Sequence, residues 1–169
     1  MNYITLQRTE AGATRTFAGP LRAFSNPARL RETTGQRIED RQFLEMDSAF
    51  RRTGGLASGD EVARLLRRQS AQPISTLARW IVAREVVSFE WRSQTLLPLF
   101  QFDRHDLLLR PRAAHIVQEL AGTFDDWETA LWFAQPNAWL HDMAPADAIV
   151  HNAAEVFHAA RADRFVAHG

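Results

Sequence analysis

Ser58-Gly59-Asp60-Glu61-Val62-Ala63-Arg64-Leu65-Leu66, then Pro73-Ile74-Ser75-Thr76-Leu77-Ala78-Arg79-Trp80-Ile81-Val82, then Val86-Val87-Ser88-Phe89-Glu90-Trp91 and Thr95-Leu96-Leu97-Pro98-Leu99-Phe100-Gln101-Phe102, form the stretch from which the fold is read. Ser58 and Glu61 have the spacing of a capping box, in which hydroxyl and carboxylate each satisfy an unpaired amide at a helix start. Val62, Leu65 and Leu66 give that helix its apolar side. Pro73 precedes a second helix, in which Ile74, Leu77, Ala78, Ile81 and Val82 recur at helical spacing and predict the buried face. In residues 86–91, Val87, Phe89 and Trp91 alternate, as in a strand with one covered face. Arg92-Ser93-Gln94 turns the chain into a second strand over 95–102, so the pair reads as a hairpin. Pro98 cannot donate to a ladder, which places it at an edge or a bulge.

Helix, turn, helix and hairpin in this order resemble the winged-helix unit of excisionase-like and MerR-type DNA-binding domains. That resemblance implies a second helix in the major groove and a wing along the phosphates. On this chain the DNA-binding candidates become Ser75, Thr76 and Arg79 with Trp80 beside them, Arg84 at the helix end, and Arg92 at the wing tip.

Working outward, Gly54-Gly55 marks a boundary. Residues 1–53 read as a basic, partly disordered N-terminal arm: 1–35 lack a sustained apolar stripe and are expected to be extended or partly ordered, and Ile38, Phe43, Leu44 and Phe50 suggest one helix over 37–52. Residues 54–110 form the winged-helix-like unit. Residues 111–169 form a third, acidic helical module, in which Pro111 suits the first turn of a helix carrying Ala113, Ile116, Val117 and Leu120. Asp125 with Glu128, and Asn152 with Glu155, repeat the capping spacing, and Val156, Ala159 and Ala160 line the last helix. The expected class is therefore mainly α with one β-hairpin.

The third module holds the most distinctive residues of the chain: Trp127, Trp132-Phe133, Pro136-Asn137, Trp139-Leu140, Pro145 and Asp147. Trp127 and Leu131 share a face with Ala130 and Ala134 and read as core, as does Trp139. Trp132 and Phe133 lie off that face and are interface candidates. Over residues 111–169 the pattern resembles the toxin-binding domain of the Xre/MbcA/ParS antitoxin family. Members of that family have a Pro-Asn turn, a later Pro opening a short helix, and a final helix leading to a C-terminal arm. The chain departs from the pattern at His141-Asp142-Met143-Ala144, where a glycine is usual, and at Ala148-Ile149, where a leucine pair is usual.

The resemblance implies an antitoxin-like protein that neutralises a partner, usually an NAD-consuming RES-domain toxin, and that self-associates. The last helix (152–165) and arm (166–169) would cover the toxin's cleft, with Trp132, Phe133, Arg161, Asp163, Arg164, Phe165 and Gly169 as toxin-binding residues. A winged-helix transcription regulator, one that binds operator DNA and autoregulates a toxin–antitoxin operon, is the alternative.

Charge distribution favours a protein partner for the third module. The 169-residue chain is neutral overall, and all 20 of its basic residues are arginine. Residues 113–169 nevertheless hold two Arg against eight acids, and residues 1–112 hold 18 Arg against 12 acids. An acidic module is a poor ligand for nucleic acid and complements a basic cleft. Cysteine is absent, which excludes disulfides and thiol chemistry. The amino terminus shows no secretion signal and no apolar run long enough to span a bilayer, which predicts a cytoplasmic protein away from membranes. The six histidines are scattered without a metal-ligand motif, and Gly54-Gly55…Gly59 lacks the Gly-Lys-Ser/Thr of a phosphate loop. The reading is of a non-enzymatic binding protein without cofactor or metal.

Overall fold

In the computed structural model, the described residues are 9–10, 13–14 and 27–168, with side chains described from residue 35 to residue 168. Two compact units result, Met1–Glu39 and Asp40–Gly169. In the first, β1 (Thr9–Glu10) pairs antiparallel with β2 (Ala13–Thr14), with Thr9 opposite Thr14. Helix α1 (Pro27–Phe50) starts in this unit and ends in the second. It begins ten residues before the position suggested by its apolar residues. Strong helix formers such as Ala28, Arg29, Leu30, Arg31 and Glu32 extend a nucleated helix without an apolar stripe, since propagation is far easier than nucleation.

The second unit continues with β3 (Leu56–Ser58), α2 (Gly59–Leu66), α3 (Pro73–Val82), β4 (Phe89–Trp91), β5 (Gln94–Pro98), α4 (Pro111–Leu120), α5 (Asp126–Ala134) and α6 (Pro145–His168). The chain is thus mainly helical, with a small three-stranded antiparallel sheet of order β3-β5-β4. Entry to β3 relies on Gly54, whose φ is +118° and where a Cβ would lie 3.0 Å from that of Leu99. A side chain there would face both strain and a clash. The predicted capping box is formed: Ser58 Oγ accepts the Glu61 N–H, and Glu61 accepts the Ser58 N–H at 2.8 Å. That donor, with the Ser58 hydroxyl, holds the Glu61 carboxyl below its usual 4.5.

The hairpin closes one residue more tightly than expected. Arg92 and Ser93 have φ of 47° and 62°, the two-residue turn whose twist matches that of the strands. Pro98 ends the central strand, where its missing N–H is harmless. The Leu99 N–H is the one that reaches β3, bonding Gly55 O at 2.9 Å, so the Pro98 nitrogen faces the side where β4 has already ended. Residues 86–88 and 99–102 are buried or half-buried, but they lie outside the ladder. Fully buried Gln101 bridges them, accepting the Val87 N–H at 2.7 Å and donating to Val87 O and Pro98 O at 2.9 Å.

Alternation along the strands puts a different core on each sheet face. Ala57 and Leu97, opposite each other, meet Val62, Leu66, Leu77 and Phe102. Leu56, Phe89, Trp91 and Leu96 meet the larger core of Met46, Phe50, Phe100, Ile116, Leu120, Phe133, Ile149 and Val156. The division expected at residue 110 therefore does not mark a break in packing. The second sheet face is apolar, and residues of α1, α4, α5 and α6 form most of the core packed against it. A chain of rings, Phe43 on Trp91 at 4.4 Å and Trp91 on Trp127 at 5.8 Å, ties α1, the hairpin and α5 together.

Candidate functional site

The capping box at the start of α5 forms, with the Glu128 N–H donating to Asp125 Oδ1 at 2.8 Å and the Asp125 N–H donating to Glu128 at 2.9 Å. At the other end of α5, Pro136 cannot continue the helix and Asn137 organises the turn that follows. Its side-chain oxygen accepts the Trp139 N–H at 2.9 Å, and its carbonyl accepts from Leu140 and Asp142. The backbone then passes through His141 and Asp142 at φ of 55° and 61°, the left-handed region that disfavours side chains. Pro145 opens the next helical segment. Asn152 leaves helical geometry (φ −143°, ψ 77°), so α6 is two helices joined at a kink. Asn152 caps the second of them, its Oδ1 accepting the Glu155 N–H at 3.2 Å.

These pieces converge on one carboxylate. Asp163 Oδ2 accepts from Trp132 Nε1 and Asn137 Nδ2, both at 2.7 Å, and Asp163 Oδ1 accepts from Trp139 Nε1 at 2.8 Å. Hydrogen bonds to a charged acceptor are about twice as strong as neutral ones. Three of them pin the last helix to the turn and to α5. The other face of the helix is held by charge: Arg164 Nη1 lies 3.0 Å and Arg161 Nε 3.9 Å from Glu119 Oε1 on α4. That oxygen is buried and has no aligned hydrogen-bond donor, so the attraction is coulombic. Asp147 takes Arg52 at 2.6 Å.

Several sequence expectations change accordingly. Asp163, expected to face a toxin, is engaged within the chain, while Arg161 and Arg164 pair with Glu119 and remain exposed. Phe133 is fully buried and packs on Phe100 at 4.8 Å, which removes it from any surface. Trp132 is half-buried, edge-on to Phe133. Trp139, expected in the core, is 56% exposed. It sits in a 3-10 turn, Ala138–Leu140, where successive residues diverge by about a third of a revolution. Leu140 takes the inward position, so Trp139 points out. The tail is not an extended arm: α6 runs to His168, whose ring nitrogen lies 3.1 Å from Thr123 Oγ1. Phe165 and Val166 remain exposed, at 78% and 68%. Gly169 lies outside the described residues.

The DNA-binding candidates do not assemble into one basic face. Arg84 donates to Ala121 O and Phe124 O at 2.8 and 2.9 Å and pairs with Asp126, closing the corner between α4 and α5. Arg92 stacks over Trp91 and lies 3.4 Å from Asp40. Thr76 bonds Ser70, and Trp80 is half-buried against Phe102. Ser75 and Arg79 are exposed, but beside them Ile74 and Val82, expected in the core, are exposed too, at 72% and 85%. Among the described residues no group of three or more His, Asp or Glu is placed to hold a metal ion, and no helix is long and apolar enough to cross a membrane.

No family model, no curated protein and no solved structure matches this chain.

Proposed function

We propose that this chain is an antitoxin-like protein whose 111–169 module binds and neutralises a toxin, one that consumes NAD through a basic cleft. The observation that carries the reading is the left-handed backbone at His141 and Asp142. It falls where the resembling family uses glycine, the residue for which that conformation is least costly. Around it are the Pro136-Asn137 turn, the helix opened by Pro145 and the separate final helix after Asn152, in the order the resemblance implies. The Asp163 clasp supports the same reading: the distinctive tryptophans and asparagine orient the final helix, and its end presents Phe165 and Val166 outward. Inhibition would be steric, by a helix end seated in the cleft, with acidic surroundings complementing its charge.

The test is co-expression with the protein encoded beside this chain's gene, reading growth, cellular NAD and co-purification. The full chain restores growth and NAD and co-purifies. Removing residues 165–169 abolishes all three without changing the thermal unfolding midpoint by more than a few degrees. Unchanged protection after that truncation overturns the tail-in-cleft reading.

A second reading, a winged-helix regulator of DNA, is favoured by one observation. The order α1-β3-α2-α3-β4-β5, with β5 between β3 and β4, is compatible with the winged-helix resemblance. Arg84 is held at the α4–α5 corner and Arg92 pairs with Asp40, so this reading rests on Arg79, Ser75 and exposed Arg64 of α2, with Arg67 and Arg68 just beyond that helix. Duplex binding by a lone chain, steeply dependent on salt, would favour it.

A further inference from the structure

Trp139 is an exposed indole whose only hydrogen-bonding atom is already used. Its Nε1 donates to Asp163 Oδ1 at 2.8 Å, and its backbone N–H is held by Asn137. The ring is thereby fixed in place while 56% of the residue faces outward. A mobile surface tryptophan would lose side-chain freedom on binding, and this one has lost it already. Its neighbour across the turn, Met143, is 46% exposed, and the Asn137–Met143 bridge holds it beside the same turn. On α6, Val166 lies one turn beyond Asp163 on the same face, about 4.5 Å farther along the axis. The module that carries them is acidic, with eight acids against two arginines over residues 113–169, and Asp142 beside the turn is exposed.

From this the geometry points to Trp139 as the anchor of a protein-binding surface formed with Met143 and Val166, whose partner offers an apolar slot in a basic surround. The inference rests on the antitoxin-like reading and deepens it, since it places a second contact beside the helix end. Because the indole N–H is satisfied internally, the slot needs no acceptor for it. Recognition depends on the ring's apolar faces and edge. Tryptophans of this kind dominate interface energetics when they enter a desolvated pocket.

The experiment measures affinity for the toxin purified from the co-expressed complex, using the full chain and two variants whose folding is checked by circular dichroism. Trp139→Ala weakens binding by about 30-fold or more. Trp139→Phe, which keeps a ring and loses the N–H, stays within about fivefold of the parent. Parental affinity for Trp139→Ala, in a chain whose tail truncation still breaks the complex, overturns this inference alone. Equal losses for both variants overturn the apolar-slot recognition. Self-association of the lone chain that Trp139→Ala abolishes assigns the surface to a second copy and also overturns it. Absence of any complex with the full chain overturns the antitoxin-like reading and this inference together.

Discussion

Helices α3 and α6 announce themselves in the same way and end in opposite circumstances. Each carries apolar residues at helical spacing. In the second half of α6, Val156, Ala159 and Ala160 are all buried, sealed by α4, α5 and the 3-10 turn before α6. In α3, of Ile74, Leu77, Ala78, Ile81 and Val82, only Leu77 is buried. The difference lies in the neighbours. Helix α3 packs on α2 and on Phe102, which together cover one narrow side, whereas α6 is enclosed on several sides and clasped at Asp163. Periodicity names a stripe; the number of elements packed around it decides how much of the stripe leaves water.

That contrast can be broken most forcefully at Asp163. Asp163→Ala leaves the indole N–H of half-buried Trp132 and the amide of buried Asn137 without an acceptor, and we expect a loss of about 3 kcal/mol in urea unfolding. A loss below about 1 kcal/mol would mean that the clasp only decorates a helix held by packing. A matched pair of truncations sharpens the comparison further. Val156→Ala, in the fully buried stripe of α6, should cost roughly 1–2 kcal/mol. Val82→Ala, 85% exposed on α3, should stay within about 0.5 kcal/mol of zero. Equal costs would show that α3 is covered in solution.

The smallest effect concerns the capping box that starts α2, the helix beside α3. The Glu61 carboxyl is held below 4.5 by the Ser58 N–H and hydroxyl. Its contribution is therefore present above that value and is lost as pH falls through the lowered one. Glu61→Gln should lower stability slightly at neutral pH, converge on the parent in acid, and so flatten the acid limb of the stability profile below pH 4.5. An unaltered acid limb would remove Glu61 from the account.

Local rules read much of this chain without help. Capping pairs at Ser58–Glu61, Asp125–Glu128 and Asn152–Glu155, the prolines opening α3 and α4, the hairpin and the mainly helical class all follow from interactions within a few residues. The pieces of the candidate site were legible as types: a tryptophan-rich helix, a Pro-Asn turn and a last helix within an acidic module. Their roles were not. Asp163 lies 31 residues from Trp132 and 24 from Trp139, and no local signal says that one carboxylate serves both indoles. Arg84 and Arg92 read as cations offered to a ligand until the fold brought Asp126 and Asp40 beside them. What the sequence determined by itself was where helices start, where the chain turns and which residues are apolar, because those depend on neighbours along the backbone. Only the tertiary structure decided that Phe133 goes in, that Trp139 goes out and that the charges of the last helix find partners within the chain. Burial and ion pairing depend on what approaches through space, and in this chain the decisive partners are dozens of residues away.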